Sequence, residues 1–416
     1  MRIFKFGGAS VKDANGIKNL VHVLESVGYT NTLIVVSAMG KTTNSLELVV
    51  DNYFNQPEEL QASINQIYSF HKSILDDLFA HKNHEVFNQL KSWTKELEQL
   101  LSQNKSPNYN FVYDQVIGFG ELISTTIISQ YLNEQHYKNE WIDVRTLIKT
   151  DDFYRRANVD WSISQKQISN KLKKNTLYIT QGFLGSDANN FTTTLGREGS
   201  DYTAAIFAYI LNASSVTIWK DVPGVLNADP RYFSDTQLLT HISYTEAIEL
   251  AFYGASVIHP KTLQPLQQKE IPLHVKSFLD PKSEGTLVNK NEGITPKLPC
   301  FILKKHQVLV SISTLDFSYI VEENISEIFN LLALHKMKVD VIQNSAISFS
   351  VCFDNTFNNL DALLLQLKAK FKVTCHENVN LFTVRYFNSQ VISELEKNKT
   401  VLLKQQFQET VQIVCQ

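Results

Sequence analysis

The sequence predicts an α/β protein: a mainly parallel sheet flanked by helices, followed by smaller βαββαβ units at the C-terminal end. Three observations predict it. Residues 1–6 read as a strand running into Gly7 and Gly8, residues 14–28 suit a helix, and residues 32–37 form an apolar, β-branched run. The same rhythm returns at residues 177–180, 216–220 and 271–276. Beyond residue 300 the alternation changes to shorter strands paired with single helices.

Between the first and second of these regions, residues 45–105 carry hardly any glycine, and Leu90, Trp93, Leu97 and Leu100 recur at helical spacing, so a helical insertion is expected there. Ser243 and Glu246 form a capping box that starts a helix running to about Phe252. Asp280, Pro281, Gly285, Gly293, Pro296 and Pro299 mark a linker. The expected division is therefore 1–282, a linker at 283–300, and 301–416. In the last part, strand 307–313, helix 324–336, strands 338–343 and 347–353, helix 357–370 and strand 371–376 spell a ferredoxin-like βαββαβ unit. Residues 380–415 repeat only its first part, and residues 301–305 are expected to supply the missing strand, interlocking the two units.

At 416 residues the chain is too long for one core, and 43% hydrophobic with 19% charged residues is ordinary for a globular enzyme. A formal net charge of -3 leaves no basic surplus for nucleic acid or an anionic membrane, so neither partner is expected. Cys300, Cys352, Cys375 and Cys415 lack metal-site or redox spacing, which argues for a reduced compartment without a disulfide framework. With no signal-peptide pattern at the N-terminus and no apolar run of about 18 residues, the expected location is cytoplasmic. His81 and His84 have no clustered partners, and no metal-ligating set is expected.

Three segments carry possible chemistry. In KFGGAS, residues 5–10, a lysine ends a strand beside two glycines; this suits a phosphate cradle or, equally, a plain strand with an exposed lysine. In TLGREGSDYT, residues 194–203, a glycine-punctuated turn opens a helix near Ser200 and Asp201. Its free N–H groups and dipole favour an anion, and Arg197 adds a fork for a carboxylate; a well-capped loop is the alternative. In WKDVPGVLNADPR, residues 219–231, a strand-end carboxylate and a Pro-Gly turn suit a magnesium nucleotide or a capped turn alone. Glu121, at the head of an apolar helical stretch, either meets an ammonium group or favours the helix start. Two other patterns fail: Gly40-Lys41-Thr42 lacks the P-loop's first glycine, which is Val35, and the Gly118-Phe119-Gly120 run ends in Ile123 rather than glycine.

Taken together and in order, these segments resemble the aspartate kinase branch of the amino-acid kinase family. KFGGAS resembles KFGGTS, LGREGSD resembles LGRGGSD, and IWKDVPGVLNADPR resembles the nucleotide segment. The likeness runs on through GASVIHP at residues 254–260 and into paired ACT modules. It implies the amino-acid kinase fold, ATP and Mg²⁺ as cosubstrate and cofactor, and L-aspartate as the acceptor, giving 4-phospho-L-aspartate for lysine, threonine and methionine synthesis. Position by position, it implies that Lys5, with Gly7, Gly8 and Ser10, meets the transferring phosphates. Ser37 and the turn at Thr43 and Asn44 face the site; Thr43, Glu121 and Arg197 hold aspartate; Ser200 and Asp201 belong to the same helix-end pocket. Lys220, Asp221, Arg231 and Lys261 fall to the nucleotide. VDVIQNS, residues 339–345, resembles an effector strand, which implies Asp340 and Ser345 as contacts for lysine or threonine, and the ACT pair implies a homodimer.

The departures are Ala9 for the threonine of KFGGTS, Glu198 for the second glycine of LGRGGSD, Leu226 for a tyrosine, Ser256 for a lysine, and Ala346 for a glutamate after Ser345. They leave two rivals: a kinase of the same fold acting on glutamate, acetylglutamate or carbamate, and a catalytically dead homologue that senses amino acids.

Overall fold

The computed structural model describes residues 1–255, 258–316 and 318–416, so Ser256 lies outside the described residues. The chain divides into two compact units. The first comprises Met1–Val225, Leu238–Ile248 and Val257–Ile294; the second comprises Leu226–Gln237, Glu249–Ser256 and Thr295–Gln416.

The first unit opens with β1 (Arg2–Phe6), α1 (Ala14–Val27) and β2 (Thr32–Val36), close to the expected bounds. Asp13 caps α1 by accepting from the Gly16 N–H at 2.8 Å. The glycine-poor stretch folds as α2 (Thr42–Asn55), α3 (Leu60–Leu78) and α4 (Glu85–Gln103), followed by α5 (Tyr109–Glu134). α5 is buried on nearly every face between Val112 and Ser129, its polar residues Asp114, Gln115 and Glu121 included. Next come β3 (Glu140–Ile142), α6 (Trp161–Lys171), β4 (Tyr178–Gln181), β5 (Leu184–Ser186), β6 (Thr192–Thr194), α7 (Gly199–Leu211) and β7 (Ser215–Lys220). Two short strands, β8 (Val225–Leu226) and β9 (Leu238–Leu239), precede β10 (His241–Ser243), α8 (Tyr244–Tyr253), α9 (Pro260–Gln268), β11 (Leu273–Ser277), β12 (Thr286–Asn289) and β13 (Ile294–Thr295). The Ser243 hydroxyl accepts from the Glu246 N–H at 3.1 Å, the expected start of α8.

Among the described residues the main sheet has nine strands in the order β13-β10-β12-β11-β7-β1-β2-β4-β3. β1 lies between β2 and β7, parallel to both, with Phe6 opposite Val36 and Trp219. β12 is antiparallel to β11 and parallel to β10. The stretch expected as a linker, 283–300, therefore contributes two strands of this sheet, β12 and β13, and a change of unit falls between Ile294 and Thr295. Proline and glycine mark bends in a chain; they do not by themselves end a sheet. Phe4, Phe6, Ile17, Leu24, Val36, Val116, Ile127 and Trp219 belong to the core between sheet and helices. Trp219 stacks on Phe6 at 6.1 Å and meets Phe4 edge-on at 5.7 Å, tying β1 to β7.

In the second unit, β14 (Cys300–Ser313), α10 (Glu322–Leu334), β15 (Lys338–Asn344), β16 (Ser348–Asp354), α11 (Leu360–Lys368) and β17 (Lys372–Arg385) follow the βαββαβ order, and α12 (Ser389–Glu396), β18 (Val401–Phe407) and β19 (Thr410–Cys415) follow. Six strands form one sheet in the order β15-β16-β14-β17-β19-β18. The strands expected at 307–313 and 371–376 are halves of two 14-residue strands. Residues 300–304 pair with 381–385, so the early segment does add itself to the second half of the sheet. His306 and Asn378, both with positive φ and joined at 2.7 Å, sit where the pairing slips between the two halves.

Candidate active site

The carboxyl ends of β1, β2, β4 and β7 lie side by side at one edge of the first unit's sheet, where open α/β sheets bind ligands. A cleft of about 450 Å³ opens there, lined by Lys5, Ser37, Thr43, Glu121, Arg197, Ser200, Asp201 and Lys220 among others.

Lys5 is the penultimate residue of β1, and its Nζ lies 2.7 Å from Asp201 Oδ1, with both side chains nearly inaccessible to water. The contact is an ion pair by distance, although its angle falls outside hydrogen-bond geometry and leaves Asp201 Oδ1 without a hydrogen bond. Asp201 stands in the first turn of α7, where a helix N-terminus favours an anion. Glu198 occupies the N-cap of α7 in the left-handed region, φ 53° and ψ 30°, and its side chain caps nothing. A residue with a Cβ pays roughly 1–2 kcal/mol for that backbone. Glu198 lines the cleft, and its Oε2 is buried without a hydrogen-bond partner. Burial, and then repulsion from Asp201, raise its carboxyl pKa, against the pull of Lys220, Lys5 and Arg197.

Glu121 is not at the head of a helix. α5 begins at Tyr109, where Asn108 accepts from the N–H groups of Asn110 and Phe111, and so Glu121 falls at mid-helix. Gly120 lets it reach the sheet: a Cβ there would come 2.9 Å from the Ala38 Cβ and 3.1 Å from Leu46. Glu121 is 3% exposed; Oε1 accepts from the Ala38 N–H at 3.2 Å, and Oε2 is buried with no partner. Desolvation raises its pKa to about 8, against the opposing effects of the Ala38 and its own backbone N–H. A buried carboxyl with one unsatisfied oxygen facing a cleft suits a cationic ligand.

Thr194, the first residue of the TLGREGSDYT segment, also lines the cleft, as do Arg155, Tyr113 and Phe183, which sequence reasoning missed. The Arg155 guanidinium lies 4.1 Å over the Tyr113 ring. Its backbone N–H donates to Asp114 Oδ2 at 2.9 Å, and the same carboxylate takes the Thr194 N–H and hydroxyl, both at 2.8 Å. Asp114 is fully buried, and desolvation holds its pKa near 6 despite those donors. The only sequence signal was a basic pair, Arg155-Arg156, in a loop with no periodicity.

Other expected residues lie outside the lining. Gly7, Gly8 and Ser10 form the turn after β1, closed by Ser10 N–H to Gly7 O at 2.9 Å and Gly40 N–H to Gly8 O at 3.1 Å. The Ser10 hydroxyl donates to Trp219 O at 3.2 Å. Thr43, which is in the lining, stands in the first turn of α2; outside it, Asn44 and Asp221 are exposed, and Lys261, in the first turn of α9, lies 5.8 Å from the Tyr202 ring. Arg231 belongs to the second unit, where it grips Asp229 at 2.6 Å. In that unit Asp340 is paired with Lys304 at 2.7 Å, and the exposed Ser345 hydroxyl shares a hydrogen bond of 2.7 Å with Ser348. Among the described residues no group of three or more His, Cys, Asp or Glu side chains could hold a metal, and no helix is long and apolar enough to cross a membrane.

A parallel sheet whose carboxyl edge gathers lysines, an arginine and a helix N-terminus around buried carboxylates defines a class: enzymes that move phosphoryl groups between small molecules. The family can be stated: residues 1–277 match the model of the amino acid kinase family, and the chain belongs to it. It is 33% identical over 392 residues to lysine-sensitive aspartokinase 3 of Escherichia coli K12, covering 91% of this chain and 85% of that one. Its structure is similar to E. coli aspartokinase III in complex with lysine and aspartate, T-state (TM-score 0.83, 29% identity, 100% of this chain and 95% of the other). The R-state of that enzyme, in complex with aspartate and ADP, gives a TM-score of 0.81 at 29% identity, covering 100% and 96%.

Proposed function

We propose that this chain is a cytoplasmic aspartate kinase, transferring the γ-phosphoryl group of ATP to the side-chain carboxylate of L-aspartate to give 4-phospho-L-aspartate. The observation that carries this reading is the buried Glu121 carboxyl, with Oε2 unpartnered, in one cleft with Lys5, Arg197 and Lys220. An amino acid needs an anion for its ammonium group and a cation for its α-carboxylate, and a triphosphate needs cations. The cleft offers all three.

Glu121 takes the ammonium group, Arg197 the α-carboxylate, and Thr43, Ser37 and Ser200 supply hydroxyls along the acceptor. The acceptor carboxylate is ionised at neutral pH, so no general base is needed. What opposes transfer is the approach of an anion to a polyanion, and catalysis is positioning plus charge neutralisation. Lys5 stands at the strand end with its ammonium held by Asp201, ready to balance charge on the transferring group. Gly7, Gly8 and Ser10 shape the turn beneath the phosphates, and Lys220, Asp221 and Lys261 serve the nucleotide. Mg²⁺, when bound, would neutralise phosphate oxygens.

The product feeds lysine, threonine and methionine synthesis, and the six-stranded sheet of the second unit is the ACT pair, serving as homodimer interface and effector site. Asp340 and Ser345 are the effector contacts. An incoming ammonium group at Asp340 displaces Lys304. The similarity to a lysine-sensitive relative favours lysine as effector.

The test is phosphoryl transfer by the purified chain with Mg-ATP, trapping the acyl phosphate with hydroxylamine. Aspartate, glutamate and acetylglutamate are compared, each with and without lysine and threonine. Hydroxamate from aspartate alone is expected. No hydroxamate with any acceptor, despite ATP binding, would replace the enzyme with an amino-acid sensor.

A further inference from the structure

We propose that Glu198 is a specificity-determining residue of this cleft: its carboxylate is a built-in anion that holds down the site's affinity for phosphates. The inference rests on the kinase reading above and adds to it a residue and a pH dependence.

The position is unusual on three counts. A helix N-cap is ordinarily a short polar residue bonded back to the first turn, whereas Glu198 caps nothing with its side chain. Its backbone is left-handed, a conformation in which a glutamate is strained and which tends to be kept where it serves function. Its half-buried side chain lines the cleft with one oxygen unsatisfied. The charged groups around it come from every side of the cleft: Lys5 from β1, Lys220 from β7, Arg197 and Asp201 from the start of α7, with Glu121 of α5 and Arg155 lining the same space.

Lys5, Lys220 and Arg197 are the cations that stabilise the Glu198 carboxylate, and they are also the cations a triphosphate needs. Ionised Glu198 competes with phosphate for that field; protonated Glu198 does not. Because burial and Asp201 raise its pKa, the competition grows as pH rises through that raised value. Glu121 acts in the opposite sense and on the other substrate: an ammonium ligand binds better once it is ionised. Because Glu121 lines the same cleft and also titrates in this range, the difference between parent and Glu198→Gln in ATP binding is what isolates Glu198 from it.

The experiment is calorimetric titration of the full chain with ATP at pH 6 and pH 8, with and without Mg²⁺, for the parent, Glu198→Gln and Glu198→Gly. Glutamine removes the charge and keeps the length and the strained backbone; glycine removes both charge and strain. Glutamine should tighten ATP binding at pH 8 by roughly five- to tenfold, the worth of one like charge at short range in a partly screened site. The gain should shrink as the pH is lowered towards the Glu198 pKa, and in high salt. The KM for ATP should fall with it, with kcat changed less. Glutamine binding no tighter than the parent at pH 8 would overturn the proposal. So would tightening confined to glycine, which assigns the effect to the backbone, or weaker binding of Mg-ATP alone, which makes Glu198 a metal ligand. A parent that binds no ATP at either pH overturns the kinase reading itself, and this inference with it.

Discussion

Replacing Glu121 with glutamine should remove a pH-dependent destabilisation that the parent carries into the neutral range. In the unfolded chain this carboxyl titrates near 4.5; buried against Ala38 it titrates near 8. Between those values the folded protein keeps a proton that the unfolded chain has lost, so stability falls as pH rises through the window. The penalty is absent below about pH 4.5 and complete above about pH 8. At about 1.4 kcal/mol per pH unit, the interval amounts to on the order of 5 kcal/mol in full and roughly 3 kcal/mol by pH 7.

The amide of glutamine can still accept from the Ala38 N–H but leaves a donor unsatisfied where Oε2 stood, a fixed cost of about 1–3 kcal/mol. That cost does not vary with pH, so the slope is the readout. In thermal midpoints of parent and Glu121→Gln measured from pH 5 to 9, the variant should gain on the parent up to about pH 8 and level off above it. A second measurement uses aspartate. At pH 7 Glu121 is mostly protonated, and an ammonium ligand requires it ionised, so binding should release up to about one proton per aspartate, falling to none well above pH 8. Calorimetry in buffers of different ionisation enthalpy reads this directly. Parallel stability curves, or no proton release at pH 7, would refute both the burial argument and the assignment of the ammonium site.

Lys5→Ala should lower turnover by about 10²–10³-fold. It should also destabilise the fold by about 3 kcal/mol or more, because Asp201 is left buried without its cation. Adding Asp201→Asn should recover the melting temperature and not the turnover; near-normal turnover in the single variant would contradict the role of Lys5. Arg197→Ala should raise the KM for aspartate far more than that for ATP, and equal effects on both would count against the carboxylate assignment. Gly8→Ala places a Cβ 2.6 Å from the Ala38 carbonyl oxygen and 3.2 Å from that of Gly40, both fixed backbone. It should cost about 1–3 kcal/mol in stability, read by thermal melting, and slow turnover by moving the turn beneath the phosphates.

Sequence alone determined what is local in the chain. KFGGAS reads as a strand running into a glycine turn, LGREGSD as a loop opening a helix, and residues 45–105 as helices, because spacing and turn chemistry act over a few residues. The same segments, in order, carried the resemblance to the family. Tertiary structure decided what depends on who meets whom. A parallel sheet pairs strands far apart in sequence, so only folding brings Lys5 to Asp201 and both to Glu121 on a helix from a third region. Arg155 enters the cleft because Asp114 and Thr194 hold its loop, a contact with no local signature. The extent of β14 and β17, the two strands hidden in the expected linker, and the membership of Arg231 in the second unit follow from long-range pairing in the same way. Charge state is the clearest case. Glu121 is an ordinary glutamate in the sequence, and its pKa near 8 exists only because folding strips its water and supplies too few donors in return.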